Sequence, residues 1–546
     1  MRKNMRQSMK QNMKQNKNLK KNQYKSQNKN QNMKKKRFDP SIDWTITLLP
    51  LGIIAVISVV LMLFPETAGN ITGMLREVFV NKLGFFYILL GLGILLTAIG
   101  LAFSRHGNIK FGNLEKPRYN NFSWGAMIFT STMAADIVYW SLIEWCYYYT
   151  AKPFAKEALT LAERQDYASS YPLFHWGPIP WAFYLLPACA YAYMMFVKKR
   201  KRQTLSEACR PVLKDHVDKK TGKLIDIFSI VGLLAGTATT FSLATPLISQ
   251  AVGKILGIEP TPFLSIVILA VIGLVFIAAV MKGMKAISHL AGICVVIFAL
   301  LIGVFLIFGP KIYIIETGVT AIGTVINDFF RMATWMDPLR LSGSGGSGFP
   351  QDWTIFYWAY WIAWFVATPF FIARISEGRT MRQTIFGGIS CGLLGTYSSF
   401  IVFGGFGLHL QTSGKLDLAG QLASGTSPSE VIMQVFGQFP ITDVVLLILI
   451  LAMIAFYAST FDAITLVVAG YSEKDMESRE EPRKKLRAFW ALVFLLLPIA
   501  LLFSESTLSM LQTISIIAAF PLGIIMIIIV ISFIKELKQN KDKNDH

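Results

Sequence analysis

Runs of about twenty apolar residues, parted by short polar stretches, dominate this 546-residue chain from residue 45 onward. A run of that length crosses the hydrocarbon core of a bilayer as one helix. The pattern predicts an all-α, polytopic membrane protein of about twelve transmembrane helices, at 45–64, 85–104, 124–149, 174–197, 225–252, 263–281, 287–309, 353–373, 384–410, 440–471, 488–504 and 511–534. Between the seventh and eighth runs lies 310–352, with amphipathic pieces such as Thr324–Trp335, ending in Ser342-Gly343-Ser344-Gly345-Gly346-Ser347-Gly348. That last stretch reads as a flexible linker by composition. The joint separates spans three to seven (124–309) from spans eight to twelve (353–534). Five plus five spans of opposite orientation, preceded by two helices, is the layout of an inverted repeat, with its site at mid-membrane between broken helices. The halves share no clear sequence identity, so the repeat is inferred from span count.

Charge refines this picture. A formal net charge of +20 would suggest a nucleic-acid partner in a soluble chain, but the first 37 residues hold 14 Lys/Arg and no acid. The excess belongs to a tail, and no nucleic-acid partner is expected. Residues 1–43 read as a disordered basic cytoplasmic extension touching anionic lipid, 44–535 as the membrane domain and 536–546 as a short polar tail. The tail lacks the apolar stretch of a cleavable signal peptide. With the N-terminus cytoplasmic, the inner segments collect 43 of the 53 Lys/Arg and the outer ones 10. The positive-inside rule therefore places both termini in the cytoplasm. The cluster Lys198-Lys199-Arg200-Lys201-Arg202 anchors the end of the fourth span. Five cysteines without CxxC spacing indicate neither a disulfide framework nor a zinc site.

Two aromatic clusters open apolar spans: Phe174-His175-Trp176-Gly177-Pro178-Ile179-Pro180-Trp181-Ala182-Phe183-Tyr184, and Phe356-Tyr357-Trp358-Ala359-Tyr360-Trp361-Ile362-Ala363-Trp364. Trp and Tyr also gather at bilayer interfaces as anchors, which suffices for Trp44, Trp124 and Trp353. A girdle needs neither the two-part repetition nor the Pro178/Pro180 break. A quaternary ammonium has full charge but no N–H to donate, and ring faces attract such a cation most strongly where water is excluded. The clusters thus suggest a cage for a methylated amine. Trp361 and Trp364 share a helix face, and Thr368-Pro369 interrupts the helix beside them.

Ionisable groups within spans are few: Asp136, Glu144, His175, His289 and Asp462. Asp136 sits in the small-residue run Ser131-Thr132-Met133-Ala134-Ala135-Asp136-Ile137, where a helix can unwind and a carboxylate can face a cation. Glu144, two turns on, reads as a structural hydrogen-bonding acid, His175 as a satisfied helix-end histidine and His289 as interfacial. Ala458-Ser459-Thr460-Phe461-Asp462 offers hydroxyls beside an acid, oxygen ligands for a small cation or simple helix-packing groups.

From about residue 40 to 535 these motifs resemble the betaine/carnitine/choline transporter family, through Phe174–Trp181 and through Trp358-Ala359-Tyr360-Trp361 with Ala373-Arg374-Ile375-Ser376-Glu377-Gly378-Arg379-Thr380. The resemblance implies a LeuT-like five-plus-five repeat, assembly as homotrimers, and an aromatic box of Trp176, Trp181, Tyr184 and Trp361 around the trimethylammonium group. By the same resemblance Trp364 and Tyr360 line the route or a second site, Tyr147 matches an aromatic of carnitine-type members, and Ser459 and Thr460 match a sodium site. Tyr360 stands where the family usually has Trp. Asp136 stands where betaine-type members have Gly and choline-type members Asp, whereas Tyr147-Tyr148-Tyr149 leans towards carnitine exchangers. The expected function is secondary transport of a quaternary ammonium compound, choline first and carnitine or betaine second, coupled to sodium or a proton or run as exchange. A non-transporting sensor using the same cage is the rival from another class. An enzyme is not expected, since the spans hold no nucleophile–base pair and no metal-ligand spacing.

Overall fold

The computed structural model describes residues 39–544 except 134, 156–158, 281–282, 343–347, 477–480 and 503–507. The basic extension before Asp39 and most of the Gly/Ser linker lie outside the described residues. Among the described residues the chain is helical, with isolated β-bridges only at Ile42–Glu473 and Lys110–Thr380. The principal helices are α1 (Trp44–Leu63), α2 (Gly84–Phe103), α3 (Asn121–Met133), α4 (Asp136–Thr150), α5 (Leu161–His175), α6 (Pro178–Ala192), α7 (Lys220–Leu256) and α8 (Pro262–Val280). They continue as α9 (Met284–Phe308), α10 (Lys311–Thr334), α11 (Ile355–Trp364), α12 (Thr368–Ile375), α13 (Met381–Ser399), α14 (Thr442–Tyr471), α15 (Lys484–Leu502) and α16 (Leu508–Asn544). The apolar runs fall largely on these helices, and the run at 384–410 continues past α13 through a π-turn at Phe400–Gly404 into a short helix at Gly405–Thr412. By length and apolarity alone six helical stretches are able to cross a membrane, or eight if each bent pair is one span. This is a multi-pass membrane protein.

The two bent pairs are the third and eighth predicted spans, the first helix of each five-span set. Asn121–Thr132 and Asp136–Thr150 meet at 62°, and Pro350–Trp364 and Thr368–Ile375 at 56°. Local chemistry explains both. The Thr132 hydroxyl donates back to the carbonyls of Ile128 (2.9 Å) and Phe129 (3.0 Å), and Ser131 to that of Ile128 (3.3 Å), bonds that compete with the helix ladder and bend it. In the second pair Pro369 lies in the first turn of α12, where its missing N–H costs nothing but forbids continuation from α11. A third break, in the fourth span, falls at Gly177. A Cβ there would come within 2.7 Å of the Leu173 carbonyl oxygen.

Glycines set how closely the halves approach. On α13, a Cβ at Gly388 would meet Leu185 at 2.3 Å, one at Gly392 the Trp181 ring at 2.2 Å, and one at Gly395 the Phe129 ring at 2.2 Å. After the fourth span Arg202 pairs with Asp226 of α7 at 3.1 Å and Arg200 with Glu536 of α16, so the basic cluster clamps two helices as well as ending a span. Helix α16 passes residue 535 and runs to Asn544, its Leu537 buried, so the polar C-terminal residues prolong the last helix. Gly392→Ala is expected to cost about 1–3 kcal/mol through overpacking against a rigid indole, read as a lower thermal midpoint of the purified protein in detergent.

Candidate substrate-binding site

Trp361, one turn before the end of α11, touches rings from both sides of the Gly177 break. Its indole lies 5.4 Å from that of Trp176, 5.5 Å from that of Trp181 and 5.1 Å from the Tyr184 phenol, centroid to centroid. Both indole pairs are near edge-to-face at 68°, a favoured arrangement worth about 0.5–1.5 kcal/mol per pair beyond burial. Trp181 and Tyr184 stand edge-on at 6.5 Å and 87°. All four side chains are at most 2% exposed. The structure therefore gathers the four residues assigned to the aromatic box, from three helical segments, in one dry place. Buried indoles normally find an acceptor, yet the Nε1 atoms of Trp181 and Trp361 have no partner among the described residues. These residues supply ring faces and edges. At these separations the rings touch one another.

Asp136 is the first residue of α4, at a half-helix N-terminus whose dipole favours negative charge. Its Oδ2 accepts from the Thr240 hydroxyl of α7 (2.8 Å) and from the Tyr360 hydroxyl of α11. Its Oδ1 is buried and has no partner among the described residues. The acid is thus tied to the residue preceding Trp361. Trp364 is buried beside Gly236 of α7, 3.6 Å from where a Cβ on that glycine would lie, and makes no ring contact with the box among the described residues. Tyr147 is elsewhere. It packs against Trp353 at 4.8 Å, eleven residues and about 16 Å along the axis from Asp136. The structure does not bring it to the box.

Glu144 gains a more definite place than its spacing revealed. Its Oε2 accepts from the Trp176 indole N–H (2.8 Å) and the Tyr357 hydroxyl (2.6 Å), and its Oε1 from the Tyr148 hydroxyl (2.7 Å). Behind it, His175 Nδ1 lies 2.8 Å from the Tyr148 hydroxyl oxygen and Nε2 3.0 Å from that of Thr354. Both imidazole nitrogens are engaged, as a satisfied helix-end histidine should be. No sequence spacing announces that Trp176 and Tyr357 share one carboxylate.

On α14 the Ser459 hydroxyl lies 2.9 Å from that of Thr130, and the Thr460 hydroxyl donates to the Thr130 carbonyl at 2.7 Å. Both meet α3 just before its break. Asp462 does not join them. It pairs with Arg487 of α15 at 2.7 Å, because two residues past Thr460 the helix has rotated by about 200° and faces the opposite neighbour. Among the described residues no cluster of three His, Cys, Asp or Glu is placed to hold a metal. His289 is exposed at the start of α9.

A family model described as betaine/carnitine/choline family transporter matches residues 45–542. The chain belongs to the betaine/carnitine/choline transporter family. It is 28% identical over 453 residues to a carnitine transporter of Acinetobacter baumannii, covering 82% of this chain and 80% of that one. It is 31% identical over 485 residues to a probable glycine betaine transporter of Desulfitobacterium hafniense, covering 87% and 94%. A glycine betaine transporter of Bacillus subtilis is 26% identical over 479 residues, covering 87% and 91%. Membership makes the chain a transporter of the betaine, carnitine and choline type, with a small quaternary ammonium substrate. Trp361→Ala, which deletes the ring touching the other three, should weaken binding of such a compound at least tenfold, measured by calorimetry on the purified protein. Tyr360→Phe leaves Asp136 with Thr240 alone and should lower stability by about 1–3 kcal/mol, measured by thermal unfolding.

Proposed function

We propose that this family member is a secondary transporter that imports choline across the cytoplasmic membrane by alternating access around the Trp176–Trp181–Tyr184–Trp361 box, with carnitine or a betaine as the weaker substrate. The observation that carries the ranking is Asp136, buried beside the box with one carboxylate oxygen unpartnered. Choline is a net cation, and carnitine and betaine bring a carboxylate of their own. Two such charges at 4 Å and an effective dielectric of about 20 repel by roughly 4 kcal/mol. None of the Lys or Arg side chains seated over rings among the described residues lies on the box. The proposal includes both termini in the cytoplasm and assembly as a homotrimer.

For coupling we favour sodium. The hydroxyls of Ser459 and Thr460 with the carbonyl and hydroxyl of Thr130 form an uncharged all-oxygen set at the α3 break, the donor chemistry that hard cations select. These residues would hold the ion and tie its presence to the shape of that break. A proton on Asp136 is the second reading, favoured by the carboxylate's burial. Proteoliposomes should take up labelled choline faster than carnitine at equal concentration, and Asp136→Gly should narrow the difference. Carnitine preference with Asp136 intact reverses the ranking. Uptake should rise with an inward sodium gradient and lose that dependence in Ser459→Ala. Dependence on a proton gradient alone selects the second reading.

A further inference from the structure

Among the buried groups that substrate contact leaves unexplained, Glu144 is the most committed. It is fully buried, and all three of its close polar neighbours donate to it: the Trp176 indole N–H, the Tyr357 hydroxyl and the Tyr148 hydroxyl. Three donors thus converge on the two oxygens of one buried side chain. The hydrogen-bonded chain continues behind it, from Tyr148 through His175 to Thr354. Among the described residues its one basic neighbour at ion-pair distance is His175, at 3.6 Å, and that imidazole is already bonded through both nitrogens.

We propose that Glu144 is the remote counter-charge of the aromatic box, acting on the substrate cation through Trp176 without touching it. This deepens the quaternary-ammonium reading above and rests on it. Two effects combine. The bond fixes the Trp176 ring plane against Trp361. It also places a full negative charge at the positive edge of the indole, so that electron density on the ring face rises and the attraction for a cation grows. Tyr357, one turn before Trp361 on α11, hangs from the same Oε2, so one carboxylate orients a wall of the box from each side. Such a positioning residue serves the charged headgroup specifically. A purely structural residue serves any molecule of the same shape.

That difference sets the experiment. Choline and 3,3-dimethylbutan-1-ol have the same shape, with nitrogen replaced by carbon and the charge removed. Affinities of both are measured by tryptophan fluorescence on the wild type and on Glu144→Gln, which keeps the side-chain volume. The expected result is a choline affinity lowered ~10-fold with that of the neutral alcohol within about twofold of wild type. Equal losses for the two ligands, or no loss for choline, overturn the proposal. Should Glu144→Gln not fold, Glu144→Leu paired with Tyr357→Phe removes the charge together with a donor it would orphan, and is read the same way. If glycine betaine binds more tightly than choline, 3,3-dimethylbutanoate is its matching neutral-headgroup partner. A wild type that binds no quaternary ammonium ends this proposal and the functional reading together. A wild type that binds choline with selectivity untouched by Glu144→Gln ends this one alone.

Discussion

A helix that stops inside a bilayer must find new partners for the backbone groups it frees, because the surrounding hydrocarbon offers none. Everything at the site follows from how this chain meets that constraint. It breaks three spans, between Thr132 and Asp136, at Gly177 and at 365–367, and the residues beside the breaks (Thr132, Asp136, Trp176 and Phe365–Ala367) are buried. Side chains beside the breaks then close the gaps: Thr460 onto the Thr130 carbonyl, Thr396 onto the Trp176 carbonyl at 3.0 Å, Tyr360 onto Asp136. Aromatic rings fill the remaining volume. The box exists because the broken ends had to converge.

Much of this was legible in the chain. The apolar runs located the helices, the Gly177-Pro178 and Thr368-Pro369 steps marked two breaks, and the small and hydroxyl residues before Asp136 marked the third. The two aromatic clusters pointed to one another across 180 residues of sequence, since both opened spans with more indole than an interfacial anchor uses. What spacing does not carry is the rotation of one helix against the next. Tyr147 matched a family aromatic by position along its helix, yet that position lies turns away from Asp136 and faces Trp353. Asp462, two residues past Thr460, seemed to belong with the hydroxyls, but the helical rotation between them hands it to Arg487. Glu144 and Trp176 are adjacent only because α4 and α5 pack side by side, a fact no motif encodes.

Helix α4 thereby holds two carboxylates with different duties. Asp136, at the break, keeps one oxygen unpartnered among the described residues, and under the proposed function it is the group that sorts net cations from zwitterions. Glu144, two turns on, is saturated by three donors and turned towards the back of a ring. Low dielectric magnifies both effects, and the difference between them comes wholly from hydrogen-bond occupancy.

The row Gly388, Gly392 and Gly395 has one more mechanical meaning. Most helix pairs lock because side chains of one sit in notches of the other, and relative motion requires climbing out of each notch. Here α13 presents bare backbone to Leu185, Trp181 and Phe129. A smooth face has no teeth to disengage, so α6 with its indole can glide along it by fractions of a turn while dispersion contact is kept throughout. Such a bearing surface would let a rigid, tightly filled membrane protein carry a ring from one side of its cargo to the other without ever opening a void.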